Sequence, residues 1–480
     1  MPAMNPSAAA TDTARPLPAL RLNAQGQRRV DYRIVLGLAL PLIANSGITA
    51  ALNLTDTWFL GHISTEAVAA MGAIFWLMLA FFLLMFGIGM AVQTLAAQAF
   101  GAGRKHDAAQ AAWTGFWAAL VTIPFFLLVA EAGHWLLAPF HLDAQIERLA
   151  LEFWWPRLLG GPASVAWFAF TGFFNGIGRT RITLAVMAVV MLLNVALNQA
   201  LIFGLGMGMA GAAWASTISV TVGVVLGLLM FVSRGVSAEF ASRLAWKPDL
   251  ARVARLFKLG FPMGLSPAAD VTGFALFQLM LVTLGPVDGA ATQIVMMLTS
   301  VAYMPAVGMA IAATTLVGQS IGAGDRDWAY RVGNAATAIA IAYMGVLGLV
   351  LAVGGPWFMT VFVTAGDPRA AEVVRLGSVL LWIAAGYQVF DAIHLGANFC
   401  LRGAGDARVP ALILLLLSWF GFVPLAHMLA FAPGEGWVGF LPQFGLGAVG
   451  AWLAALIYMI AMSLALAQRW RSGAWRKIRL

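Results

Sequence analysis

Gln98-Ala99-Phe100-Gly101-Ala102-Gly103 returns later in the chain as Gln319-Ser320-Ile321-Gly322-Ala323-Gly324. The step from 98 to 319 is 221 residues, and the same step carries Ala39-Leu40-Pro41 onto Gly260-Phe261-Pro262. A third pair follows, Gly176-Ile177-Gly178-Arg179-Thr180-Arg181 and Gly403-Ala404-Gly405-Asp406-Ala407-Arg408. In each pair the motif occupies the same place among long apolar stretches. The chain therefore consists of two copies of one unit, and the nature of that unit decides the fold.

The unit is a membrane unit. Of 480 residues, 61% are hydrophobic and 10% charged, with a mean hydropathy of +0.86, which leaves too little polar surface for a soluble protein. Barrel strands give weakly apolar segments of about ten residues. Here the apolar stretches reach the ~20 residues that a helix needs to cross hydrocarbon. Spans are predicted at 34–60, 66–98, 108–138, 148–174, 182–204, 210–232, 256–284, 288–317, 328–362, 370–400, 409–431 and 444–468. The fold expected is all-α and polytopic, with twelve transmembrane helices in two homologous six-helix bundles.

Charge sets the orientation. All but four of the 28 basic residues fall in alternate connections or in the tails, and the exceptions are Arg148, Arg157, Arg369 and Arg375. The positive-inside rule then places both termini in the cytoplasm, in a bacterial inner membrane. The net charge of +8 does not point to nucleic acid, because it is spread over short loops where anionic lipid is the natural partner. One cysteine, Cys400, excludes an internal disulfide and a multi-cysteine metal site. Residues 1–30 lack an apolar core and are expected as a disordered cytoplasmic tail. Residues 31–233 form the first lobe, 234–255 a cytoplasmic linker, 256–470 the second lobe and 471–480 a tail. Six spans per lobe is an even number, so the lobes relate by an axis along the membrane normal. Two facing lobes suit alternating access better than catalysis. Trp135, Trp154, Trp155, Trp246 and Trp470 lie near span ends and are expected in an interfacial belt.

Gly206-Met207-Gly208-Met209-Ala210-Gly211 and Gly445-Leu446-Gly447-Ala448-Val449-Gly450 fit the dinucleotide fingerprint. Neither follows a strand, so both are expected as external turns with close helix packing, and no cofactor is expected.

Acids inside spans cost about 2.5–3.5 kcal/mol on insertion scales and are therefore informative. Asp391 shares a helical face with Tyr387, His394 and Asn398. That stripe could bind a desolvated cation or hold a proton, or Asp391 could be a neutral packing contact. Asp270 follows Pro262 and Pro267, which should bend the helix or free carbonyls, and Phe274 and Gln278 continue its face. Asp56, with Asn53, and the pair Asn194 and Asn198 could make a polar pocket in the first lobe, or bind helices together.

These features resemble the multidrug and toxic compound extrusion family, in its NorM-like bacterial branch, over about residues 30–470. The motifs that carry the resemblance are Pro41 with Asp56-Thr57-Trp58-Phe59-Leu60-Gly61, the two Gln-to-Gly segments, and Tyr387-Gln388-Val389-Phe390-Asp391 followed by Leu401-Arg402-Gly403-Ala404-Gly405-Asp406. The resemblance implies two bundles in a V and export of cytoplasmic, often cationic, compounds in exchange for H⁺ or Na⁺. By the same resemblance Asp391 and Tyr387 match a second-lobe cation site, with Asp391 and Asp270 as the candidate Na⁺ ligands. Asp270 stands where that branch usually carries glutamate. Asp56 matches a first-lobe acid implicated in proton coupling, with Asn194 and Asn198 near it. The expected partners are a small-molecule substrate, H⁺ or Na⁺ and membrane lipid, for a chain acting as a monomer. Related lipid-linked oligosaccharide flippases are the alternative, disfavoured by the acidic cavity; a non-transporting membrane protein lacks any motif to support it.

Overall fold

The computed structural model describes residues 17–363 and 368–479. Eleven helices among them are long and apolar enough to cross a membrane: Tyr32–Gly61, Thr65–Gly101, Lys105–Glu131, Thr180–Gly204, Gly208–Phe231, Leu250–Leu284, Pro286–Gly322, Arg326–Val353, Ala370–Gly403, Arg408–Ala430 and Gly447–Arg471. The remaining span, fourth in order, is a broken one. Ala144–Leu159 and Gly161–Gly176 meet at Gly160, where Pro162 cannot donate an amide to the preceding turn. Thr217 fills the break, its hydroxyl donating to Pro156 O at 2.9 Å. Twelve spans result, six on either side of the segment that joins the copies.

The lobes are not packed as they are ordered in sequence. Val35, Ala39 and Leu42, in the first half of span one, lie in hydrophobic clusters built mainly by the second copy. Phe59 and Leu60, at its far end, lie in the first-lobe core. Span seven mirrors this, with Val253, Leu256 and Met263 in the first-lobe core and Phe277, Met280 and Leu281 in the second. Each lobe thus lends the start of its first helix to the other. Both crossings lie at the end of the molecule that carries most of the basic loops, here termed the basic end.

Small residues make the crossings possible. A Cβ on Gly87 would lie 2.0 Å from Gly260 O, and one on its repeat partner Gly308 would lie 2.6 Å from Ile43 N. Closer to the basic end, a Cβ on Gly101 would lie 2.0 Å from Gln319 O, and one on Gly322 2.0 Å from Gln98 O. Backbones this close need glycine, as at helix pairs in membranes generally. Side chains complete the seam in matched pairs. Gln98 donates to Gly403 O at 2.9 Å, and Gln319 to Gly176 O at 2.8 Å. Thr94 donates to Arg402 O at 3.0 Å, and Thr315 to Asn175 O at 2.9 Å. The duplicated motifs are therefore the two sides of one joint.

Several expectations need correction. Residues 1–16 lie outside the described residues, but 17–30 are not a disordered tail. β1 (Leu20–Leu22) pairs antiparallel with β2 (Arg28–Val30), Arg28 bridges Asp325 at 2.7 Å, and Trp328 donates to Pro18 O. A hairpin this short has no periodicity to betray it. Helix seven begins at Leu250, inside the expected linker, capped by the Asp249 carboxylate accepting from Arg252 N. It runs unbroken to Leu284 with both Pro262 and Pro267 inside it, beside the close backbone of span two. Trp154 and Trp470 are core residues rather than belt residues; their indoles donate to Val129 O and to Asn334. The two glycine fingerprints do form turns, with φ of +66° at Gly206 and +71° at Gly445.

Gly101→Val drives its side chain into the Gln319 backbone. It should lower stability by ~1–3 kcal/mol, read as thermal unfolding of the purified protein. Gly72→Val, where no atom lies within 4 Å of the new Cβ, is the control and should change little. Equal losses from the two would show that the seam is not closely packed.

Candidate functional site

Each lobe buries one polar cluster, and the two are built differently. In the first lobe, Asp56 sits near the end of span one. Asn194 and Asn198, one helical turn apart on span five, and Ser216 on span six close a ring around it. Asn198 Nδ2 donates to Asp56 Oδ1 at 2.7 Å and to Asn194 Oδ1 at 3.0 Å. Asn194 Nδ2 donates to Ser216 Oγ at 3.2 Å, and Ser216 Oγ donates to Asp56 Oδ2 at 3.4 Å. Immediately after Asn198 the helix widens into a π-helical turn, Gln199–Gly204, a feature that often marks functional positions. Asn53, expected in this pocket, is exposed and joins no part of the ring.

Arg157, noted in the sequence only as an exception to the basic set, lies inside span four as the span expected at 148–174 requires. Its guanidinium stacks over the Phe82 ring at 4.5 Å, and its Nη1 is buried without a hydrogen-bond partner. The signal that could have found it is its position nine residues after Arg148, well inside an apolar stretch.

In the second lobe, Asp391 is 3% exposed on span ten. His394, one turn on, places Nδ1 3.3 Å from Asp391 Oδ1. Asp270 comes from span seven. Its partner is Tyr458 on span twelve, whose hydroxyl donates at 2.8 Å. Tyr458 was not foreseen, because nothing near it in the sequence is polar enough to draw notice. Phe422 stacks on Tyr458 at 4.8 Å and packs beside Phe274 and Phe277. Phe274 is thus part of an aromatic wall, and its edge meets Tyr387 at 6.5 Å. Phe422 ends a second π-helical turn, Leu417–Phe422, so span five of each copy carries such a turn.

Two further candidates stand apart. Asn398 is buried, but no hydrogen bond among the described residues links it to Asp391. Gln278 lies two turns beyond Asp270, about 12 Å along the helix, and bonds Gln293 of span eight at 2.9 Å. No cluster of three or more His, Cys, Asp or Glu suited to a metal ion occurs among the described residues.

The arrangement of two lobes, each with a buried acid cluster behind a shared seam, can now be set beside known proteins. The MatE family matches residues 41–199 and 262–426, once in each copy. The chain belongs to the MatE family. It is a multi-pass membrane transporter of the multidrug efflux type. A probable multidrug resistance protein NorM of Pseudomonas aeruginosa is 31% identical over 92% of this chain and 90% of its own length. The corresponding protein of Burkholderia pseudomallei is 30% identical over 96% and 95%. An outward-facing multidrug resistance MATE transporter of the MOP superfamily shares the fold, with a TM-score of 0.79 at 19% identity over 92% of this chain and 96% of that one.

Within this MatE member the ring around Asp56 sets a measurable cost. Asn198→Ala removes two of its hydrogen bonds and leaves a carboxylate oxygen short of a donor. A loss of ~1–3 kcal/mol is expected in thermal unfolding. Asn53→Ala, which breaks no side-chain bond among the described residues, should stay within ~0.5 kcal/mol. Indistinguishable unfolding curves would mean that the ring does not hold the lobe together.

Proposed function

We propose that the protein is a secondary antiporter of a bacterial inner membrane. It exports small cationic or amphipathic compounds by alternating access in exchange for H⁺ or Na⁺. Its basic end and both termini face the cytoplasm, and a single copy suffices. One observation carries this reading: the second lobe places two carboxylates, Asp391 and Asp270, inside different spans, one facing His394 and the other accepting from Tyr458. Two such charges in low dielectric repel, and one bound cation relieves the repulsion. A site of that kind has different energies with and without its ion, which is the requirement for coupling ion flow to a change of facing.

The surroundings favour a proton over Na⁺. Asp270 accepts from a phenol and Asp391 faces an imidazole nitrogen, so each has a partner that donates or carries a proton. A bare cation would need further oxygen acceptors. The imidazole Nε2 of His394 is buried and unpartnered, leaving a second ring nitrogen available to a proton. Each charge moved inward supplies about 2.3 kcal/mol per 100 mV of membrane potential.

The test is efflux from vesicles containing purified protein. Asp391→Asn keeps size and hydrogen-bonding capacity but cannot carry charge, and should abolish export while the protein remains folded in the membrane. Normal efflux by this variant would remove Asp391 from the mechanism. Proton and Na⁺ binding should also respond non-additively to Asp270→Asn and Asp391→Asn, and weakly to Asp56→Asn combined with either. Simple addition of the two second-lobe losses would rule out a shared site.

A further inference from the structure

A cavity of about 940 Å³ opens at the basic end, beside the seam and remote from both acid clusters. It draws walls from both lobes. Arg104 and Gln98 come from the first copy, Arg408 and Arg469 from the second, and Arg252, Arg255 and Lys258 from the opening turns of helix seven. Three of its cations are already matched: Arg104 with Asp107, Arg469 with Asp406, and Arg252 with Asp249. Arg255, Lys258, Arg408 and Arg479 have no carboxylate partner among the described residues, yet all four line the same space. The acids lining it, Asp107 and Asp406, are both among those already paired. Convergence of four unmatched cations is repulsive unless an anion occupies the space between them.

From this convergence we infer that the cavity is a binding site for a phosphate-bearing anion, and that its occupant is the head group of an anionic phospholipid. Phosphate chemistry follows from the multiple basic donors around one cavity, which a polyoxygen anion can satisfy together. The lipid source follows from the other lining residues. Leu95, Leu259 and Val409 give the cavity apolar walls, which acyl chains can cover and a free phosphate would leave bare. Basic pockets between span ends on the cytoplasmic side are suited to such head groups. Because both lobes contribute, the lipid bridges them next to the Gln98–Gly403 bond and favours the state in which the basic end is closed.

The experiment compares phosphatidylglycerol, phosphatidylcholine and inorganic phosphate, each added to the purified full-length chain in detergent. Bound lipid is counted by native mass spectrometry, and thermal unfolding is followed in parallel. Phosphatidylglycerol should bind and raise the unfolding temperature, and phosphatidylcholine should do neither. The triple substitution Arg255→Gln, Lys258→Gln, Arg408→Gln should weaken phosphatidylglycerol binding about a hundredfold, at roughly fivefold for each cation removed. Unchanged binding by a folded triple variant would overturn the site. If that variant does not fold, the three single substitutions carry the test, and no loss from any of them overturns it equally. Stabilisation by inorganic phosphate as large as that by phosphatidylglycerol would overturn the lipid assignment.

Discussion

The close approach of glycine-lined backbones at the basic end is the constraint on which the rest of the architecture depends. Gly87 against Gly260, and Gly308 against Ile43, let spans one and seven cross into the opposite lobe. That crossing fixes the lobes together at one end. The matched bonds from Gln98, Gln319, Thr94 and Thr315 reinforce the same joint. A side-chain hydrogen bond between helices in a membrane is worth roughly 0.6 kcal/mol. Four of them then contribute about 2–3 kcal/mol, close to the ~2.3 kcal/mol that one charge gains across 100 mV. Gln93 adds two more bonds across the seam, to Ile311 O and Thr315 Oγ1, so its polar part exceeds that sum.

Duplication built the joint symmetrically but left the two buried sites unlike. In the first lobe Asp56 is enclosed by neutral donors, each satisfied by the next. The second lobe sets Asp391 against an imidazole and Asp270 against a phenol. Symmetry is retained where both copies must fit the same partner surface. It has been lost inside the lobes, where each copy's cluster touches only its own helices and can diverge without disturbing the seam.

Much of this was legible in the residues. The repeat Gln98…Gly103 and Gln319…Gly324 announced the duplication, and lone acids in apolar stretches exposed Asp56, Asp270 and Asp391. The i, i+4 spacing brought Asn194 and Asn198 onto one face, where they meet. Periodicity within a helix cannot show what faces it from another helix, so Tyr458 and Ser216 escaped notice, and the packing of Arg157 on Phe82 could not be foreseen. Nor could sequence order reveal that the starts of spans one and seven belong, by packing, to the other lobe. The hairpin at Leu20–Val30 was missed for a different reason, since two three-residue strands bury too little to leave a pattern.

Arg157 gives the difference between the lobes a physical meaning under the proposed antiport. A carboxylate in low dielectric must find a counter-charge or be neutralised. The first lobe carries a resident cation, Arg157, stacked over the Phe82 ring, and Asp56 itself accepts from two neutral donors, Asn198 and Ser216. No arginine or lysine pairs with Asp391 or Asp270 among the described residues. The basic side chain beside Asp391 is His394, at 3.3 Å. Relief of charge in that lobe must then come from an ion that arrives from outside. Under the proposed antiport the second lobe, whose two carboxylates lie on different spans with His394 and Tyr458 as partners, is the one suited to take up an ion. On that reading the coupling role falls to one copy of the duplicated unit, while the seam is shared by both.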